Sequence, residues 1–153
     1  RKGLFALDNI WDGLGAIIKF NPEIKYFFGK VTMYPNYNKE ARDFLLNFMH
    51  YYFPDDDKLL RPHHPLDIDL KNEKYISQLR DLDFKDGYKI LNSFIREQSE
   101  FIPPLINIYM NLSHSMRTFG TALNKDFGNV EETGILVTIA DIYQEKKERH
   151  MEF

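Results

Sequence analysis

Apolar residues recur at helical spacing from the start of the chain. Leu4, Leu7, Ile10, Trp11, Leu14, Ile17 and Ile18 predict an amphipathic helix over residues 4–20. Asn21-Pro22 ends it, because proline disfavours helical geometry in the residue before it. Gly13 and Gly15 lie inside this helix, where each costs about 1 kcal/mol relative to alanine; the expected compensation is close approach of another backbone on that face. The period then changes. Residues 24–33 (IKYFFGKVTM) are β-branched and aromatic with alternating faces, which predicts a strand with Gly29 as a bulge or a point of close packing.

Asn38 is placed to cap a helix running to about residue 53, whose apolar stripe is Ala41, Phe44, Leu45, Phe48, Met49 and Tyr52. Residues 54–85 read as an irregular insertion, with a short helix or turn near 73–79. Asp86 is expected to cap a helix carrying Ile90, Leu91, Phe94 and Ile95, and Pro104 to open a short helix through 105–112. Residues 115–123 and 134–140 read as strands, and Asp141 is expected to cap a charged last helix. Strands and helices are mixed without regular alternation, so the fold class is α+β, in one domain over residues 1–153.

Composition narrows the function. Hydrophobic residues make up 43% of the chain and aromatic residues 15%, enough for a packed core. The formal charge of −3 offers no basic stripe for nucleic acid. Absence of cysteine removes disulfides, thiolate metal sites and a cysteine nucleophile, and fits a cytoplasmic location. No apolar run approaches the roughly 18–20 residues needed to span a bilayer, and no secretory signal is present.

Candidate chemistry is sparse. His63 and His64 are adjacent in an extended loop and point in different directions, which argues against a metal site but leaves His64 as a candidate general base. Asp55, Asp56 and Asp57 lack the glycine and glutamate of a calcium loop and read as a solvated loop. No phosphate-binding glycine loop occurs, and no serine elbow surrounds Ser113, His114 and Ser115. Arg1, Lys2 and Gly3 precede a helix, where backbone N–H groups and two cations suit a phosphate or pyrophosphate. Glu131 and Glu132, at the expected entrance to a strand, could hold a cationic substrate or act as a base.

The segments FALDNIWDGLGAI, YFFGKVTM and YNKEARDFLL, followed by PPLINIYMNLSHSMRTFGTALNKDFGNVEETGILVTIADIY, resemble a bacterial hemolysin-like branch of the GNAT acyltransferases, in the variant found in Bacteroidetes-type bacteria. That branch includes the N-acyltransferases of ornithine lipids and N-acyl-glycine lipids. The likeness is weakest at residues 54–85. It implies a mixed GNAT-type sheet flanked by helices, with an amine attacking a long-chain acyl thioester of acyl carrier protein or CoA. The acceptor would be the amine of an amino acid. The thioester is a co-substrate, and no cofactor is implied.

Carried over, the resemblance puts Arg1, Lys2, Gly3 and the start of the first helix against the pyrophosphate or phosphopantetheine, and Asn38 along the donor arm. Trp11, Phe44 and Phe48 read as core rather than acyl pocket. The chain begins at Arg1 without an initiator methionine, so a C-terminal portion is expected, with the strands that complete the site lying before it and amide formation by this stretch alone not expected. The alternative is a non-catalytic binding or membrane-associated module, with peripheral contact at the inner membrane through the aromatic run at Tyr51, Tyr52 and Phe53. A third reading is a structural fragment of a larger enzyme.

Overall fold

A computed structural model describes residues 2–151, without the side chains of residues 2–9, 150 and 151. The elements run α1 (Lys2–Phe20), β1 (Tyr26–Met33), α2 (Lys39–Tyr52), α3 (Glu73–Leu79), α4 (Phe84–Glu97), α5 (Pro104–Met110), β2 (Arg117–Asn124), β3 (Val130–Thr138) and α6 (Gln144–Met151). The α+β class holds. Among the described residues the sheet has three strands in the order β1-β3-β2 and is antiparallel throughout, where a mixed sheet was expected.

The core lies between one face of this sheet and the helices. In α2, Ala41, Phe44, Leu45, Phe48 and Met49 are fully buried, as the period required. Val31, Met33, Ile135 and Val137 meet them from the sheet. Aromatic pairs tie the helices together: Phe44 stacks on Tyr75 with centroids 5.0 Å apart and meets Phe94 edge-on at 5.1 Å. Trp11 is buried from α1, edge-on to Tyr109 at 5.4 Å. The outer side of α1 is open, with Ile10, Ile17 and Phe20 exposed.

Several local expectations are corrected. Gly13 is exposed and a Cβ there would meet nothing within 4 Å, so no backbone approaches it. β1 pairs with β3 without interruption from Tyr26↔Thr138 to Met33↔Glu131, so Gly29 is not a bulge; a Cβ there would lie 4.0 Å from the Tyr109 hydroxyl. The bulge is in β2, where Phe119 and Gly120 face one residue of β3 between the pairs Thr118↔Ile135 and Thr121↔Thr133. Asp83, not Asp86, caps α4, its Oδ1 accepting from the Asp86 N–H at 2.8 Å. Asp141 ends a short 3₁₀ turn and accepts a bond from Ser115 Oγ at 2.5 Å, while α6 starts later, at Gln144.

Residues 54–72 form an irregular strap, which α3 and the start of α4 follow. Asn47 anchors it from α2. Its amide, fully buried, donates to the carbonyls of Asp43 and Asp69 at 2.9 Å each and accepts from the Asn72 N–H at 3.2 Å. The strap then crosses the free edge of β2, where Leu66 N–H donates to Thr121 O at 2.7 Å and Pro65 bridges Ala122. Pro62 lies on Gly120 so closely that a Cβ there would come within 2.5 Å of its ring. Glycine at the bulge is what lets the strap lie flat.

Candidate functional site

Two hollows follow β2 along this strap. The first, of about 650 Å³, is lined by the end of α2, the start of the strap and the first half of β2. Its polar wall consists of His50, Asp55 and Thr118, and each contributes a buried atom without a hydrogen-bond partner: His50 Nε2, Asp55 Oδ1 and Thr118 Oγ1. Buried polar atoms are nearly always bonded, and three orphans around one hollow mark a place built for something else.

Each group is there for a traceable reason. The end of α2 is fixed to β2 by the Thr118 N–H, which donates to Phe53 O at 2.8 Å. His50, one turn earlier, hydrogen-bonds the backbone of Phe119, the residue in the bulge. Its Nε2 is buried and has no hydrogen-bond partner. Burial lowers the imidazole pKa below its ordinary value, more than the Phe119 bond raises it, so the ring is neutral at pH 7. Asp55 Oδ2 accepts weakly from the Leu60 N–H at 3.4 Å, and its Oδ1 stands 3.7 Å from Arg117, too far for a hydrogen bond. Arg117 is instead bonded to Asp57. The acidic run is therefore not a wholly solvated loop: the Asp55 side chain is 10% exposed.

The rim carries the opposite sign. Lys58, Arg61 and Lys71 line the hollow, and none forms a salt bridge with a described residue. Glu73, also lining it, is engaged by Arg80 at 2.8 Å. Leu60, Leu70, Ile76 and Phe119 supply apolar wall. Tyr51 lines the same hollow, whereas the Tyr52 hydroxyl donates to the carbonyls of Leu82 and Asp83 and burial pushes its pKa up to about 12. Phe53 is buried, so the aromatic run is not an exposed patch.

The second hollow, of about 690 Å³, gathers two residues singled out in the sequence, His64 and Glu132. Glu132 is bonded to Lys30 at 2.6 Å, and that bond above all holds its pKa below the usual carboxylate value. His64 is exposed. Glu131 is on the opposite face of β3, paired with Arg42 at 2.6 Å, so the two glutamates do not form one site. They are the second and third residues of β3. Asn38 caps α2, its carbonyl oxygen accepting from the N–H groups of Glu40 and Ala41 at 2.9 and 3.1 Å, which commits that oxygen to the helix. Arg1 lies outside the described residues, as does the side chain of Lys2; the backbone of Lys2 and Gly3 is in α1.

The arrangement joins a neutral base, a carboxylate and a hydroxyl to a cationic rim, which suits a small ligand carrying both an amine and an anionic group. The chain is similar to part of two acyltransferases. It is 53% identical over 152 residues to a protein of Phocaeicola vulgatus named glycine N(alpha)-acyltransferase, and 50% identical over 151 residues to one of the same name in Bacteroides thetaiotaomicron. Each match takes in 99% of the chain but only 46% and 45% of these relatives, so the chain spans less than half their length. No family model matches the chain, and no solved structure does.

His50 and Thr118 were not singled out from the sequence, and Asp55 was read only as part of a solvated acidic loop. A histidine ending an apolar helix stripe and an isolated glycine within a strand pattern, Gly120, were the available signals.

Proposed function

We propose that this chain is part of a GNAT-type N-acyltransferase that moves a long acyl group from an acyl carrier protein or CoA thioester to the amine of an amino acid, with glycine as the first acceptor to test. The observation that carries this reading is identity of half or more, across nearly the whole chain, to two proteins named for that transfer. The hollow beside the bulge supports it, since aminolysis of a thioester asks for a proton acceptor beside the amine and positioning of both reactants.

In this reading the amine nitrogen attacks the carbonyl carbon of the thioester directly, and the protein works by orientation and proton transfer rather than through a covalent acyl-enzyme. The apolar wall of Leu60, Leu70, Ile76 and Phe119 would lie along the start of the acyl chain. The unpaired outer edge of β1, with Tyr26 and Phe28 exposed, is available to further strands or to a donor arm. The donor's phosphate remains assigned to the opening turn of α1.

The test is the complete gene product incubated with palmitoyl-CoA or palmitoyl-carrier protein and glycine, following thiol release and the amide by mass spectrometry. Stoichiometric thiol and N-palmitoylglycine are expected. Thioester left intact with every donor and amino acid would remove the reading. A membrane-associated role finds support in Ile10, Ile17 and Phe20, exposed along one helix. No helix among the described residues is long and apolar enough to cross a membrane. Vesicle co-flotation without thioester consumption would favour that second reading.

A further inference from the structure

We infer that the hollow of His50, Asp55 and Thr118 is the acceptor subsite, with His50 Nε2 taking the proton of the amine and the Lys58–Arg61–Lys71 rim holding the acceptor's carboxylate. The inference rests on the acyl-transfer reading and deepens it by naming which residues meet which end of the acceptor. Three buried atoms lack partners here: a nitrogen of His50, an oxygen of Asp55 and a hydroxyl of Thr118. An α-ammonium is a compact three-way donor, and these residues carry three atoms able to accept, each covered from water in the free protein and reached by side-chain movement on binding. Across the same hollow the cations have no acidic partner among the described residues, although Glu73, on Arg80, and the exposed Asp56 also face it. An amino acid carries the complementary charges a few ångströms apart.

Proton and electron flow balance without any further reagent. The ammonium gives one proton through His50 to solvent. The freed lone pair forms the C–N bond, the C–S bond breaks with its electrons on sulfur, and the second nitrogen proton passes by way of His50 to the thiolate. Amide and thiol result. His50 is suited to this because burial holds its pKa below the ordinary value and its ring is held against the Phe119 backbone. The bulge therefore has a role in positioning. It sets the backbone that holds the base, and Gly120 lets the strap carrying Arg61 close over it.

The experiment measures the complete gene product with glycine and with glycinamide, which lacks the carboxylate, at several pH values. His50→Asn is expected to lower kcat/KM for glycine by about 100-fold or more and to remove the acid limb of its pH profile, in the range of general-base catalysis. Arg61→Ala is expected to raise KM for glycine several-fold while leaving KM for glycinamide and for the thioester as they were. Circular dichroism separates loss of activity from loss of fold, and His50→Gln serves where the Asn variant does not fold. A folded His50 variant with wild-type rate and pH profile overturns the assignment while leaving acyl transfer intact. An Arg61 variant that weakens the thioester instead shows that the rim holds the donor's phosphate, which also overturns it. A wild-type protein that transfers no acyl group overturns the underlying reaction, and this assignment with it.

Discussion

The two hollows along β2 are similar in size and opposite in character. In the second, the groups are already satisfied: Glu132, largely covered, has Lys30, and His64 stands in solvent. In the first, polar atoms are buried without partners and the rim cations form no salt bridge with a described residue. A charge satisfied at the surface is inexpensive and does little. A buried group left unsatisfied carries a stability penalty, and folds retain such penalties where binding or reaction offsets them. Volume alone does not distinguish the two; the state of the polar atoms does.

This contrast is open to breakage by mutation. The largest effect is expected at Asn47, which holds the strap that walls the first hollow. Asn47→Ala leaves the Asp69 carbonyl and the Asn72 N–H unpaired, and should cost about 2–4 kcal/mol, read as a fall in the denaturant midpoint at unchanged slope. A variant within experimental error of wild type would show that the strap is held elsewhere.

Gly120→Ala comes next. Its methyl group would press on the Pro62 ring, and overpacking of this kind costs about 1–3 kcal/mol. Limited proteolysis should then cut within residues 54–66 faster than in wild type, with the core protected. Equal cutting rates would disconnect the bulge from the strap.

A third effect depends on pH. Because burial depresses the His50 pKa, the unfolded chain binds a proton that the native state refuses once pH drops below the ordinary value of 6.5. The stability of neutral His50 is thus complete above 6.5 and is lost as pH falls from there towards the native pKa, by at most about 1.4 kcal/mol per unit. His50→Asn should flatten that part of the stability curve and no other. The smallest effect belongs to the second hollow: Glu132→Gln, breaking a pair whose lysine is half exposed, should change stability by less than about 1 kcal/mol and shrink further in high salt.

How much of this was legible in the sequence depends on the range of the forces involved. The helices and strands followed from local period; α2 has every expected apolar position inward except the half-buried Tyr52. Caps were less legible because Asp83 and Asp86 are both capable of the same bond, and only the backbone path decides which one caps. Gly29 was read as a bulge or a point of close packing, and the bulge occurs instead at Phe119–Gly120, because both glycines interrupt a strand pattern and the difference is Pro62, far away in the chain. The first hollow was illegible for the same reason: His50, Asp55 and Thr118 come from a helix, a loop and a distant strand that meet only after the strap crosses the sheet. His64 and Glu132 drew notice by residue type, and folding does bring them together, but Glu132 is already paired with Lys30 and His64 stands in solvent.

The most direct check is a nuclear magnetic resonance titration of the histidine rings in the complete gene product, with and without glycine. The account predicts that the His50 ring takes up its proton below the ordinary value of 6.5 and that its Nε2 signal shifts when glycine is added, while the exposed His64 does not respond to glycine. A His50 ring that titrates like a solvated one and does not respond to glycine would contradict the assignment of the site.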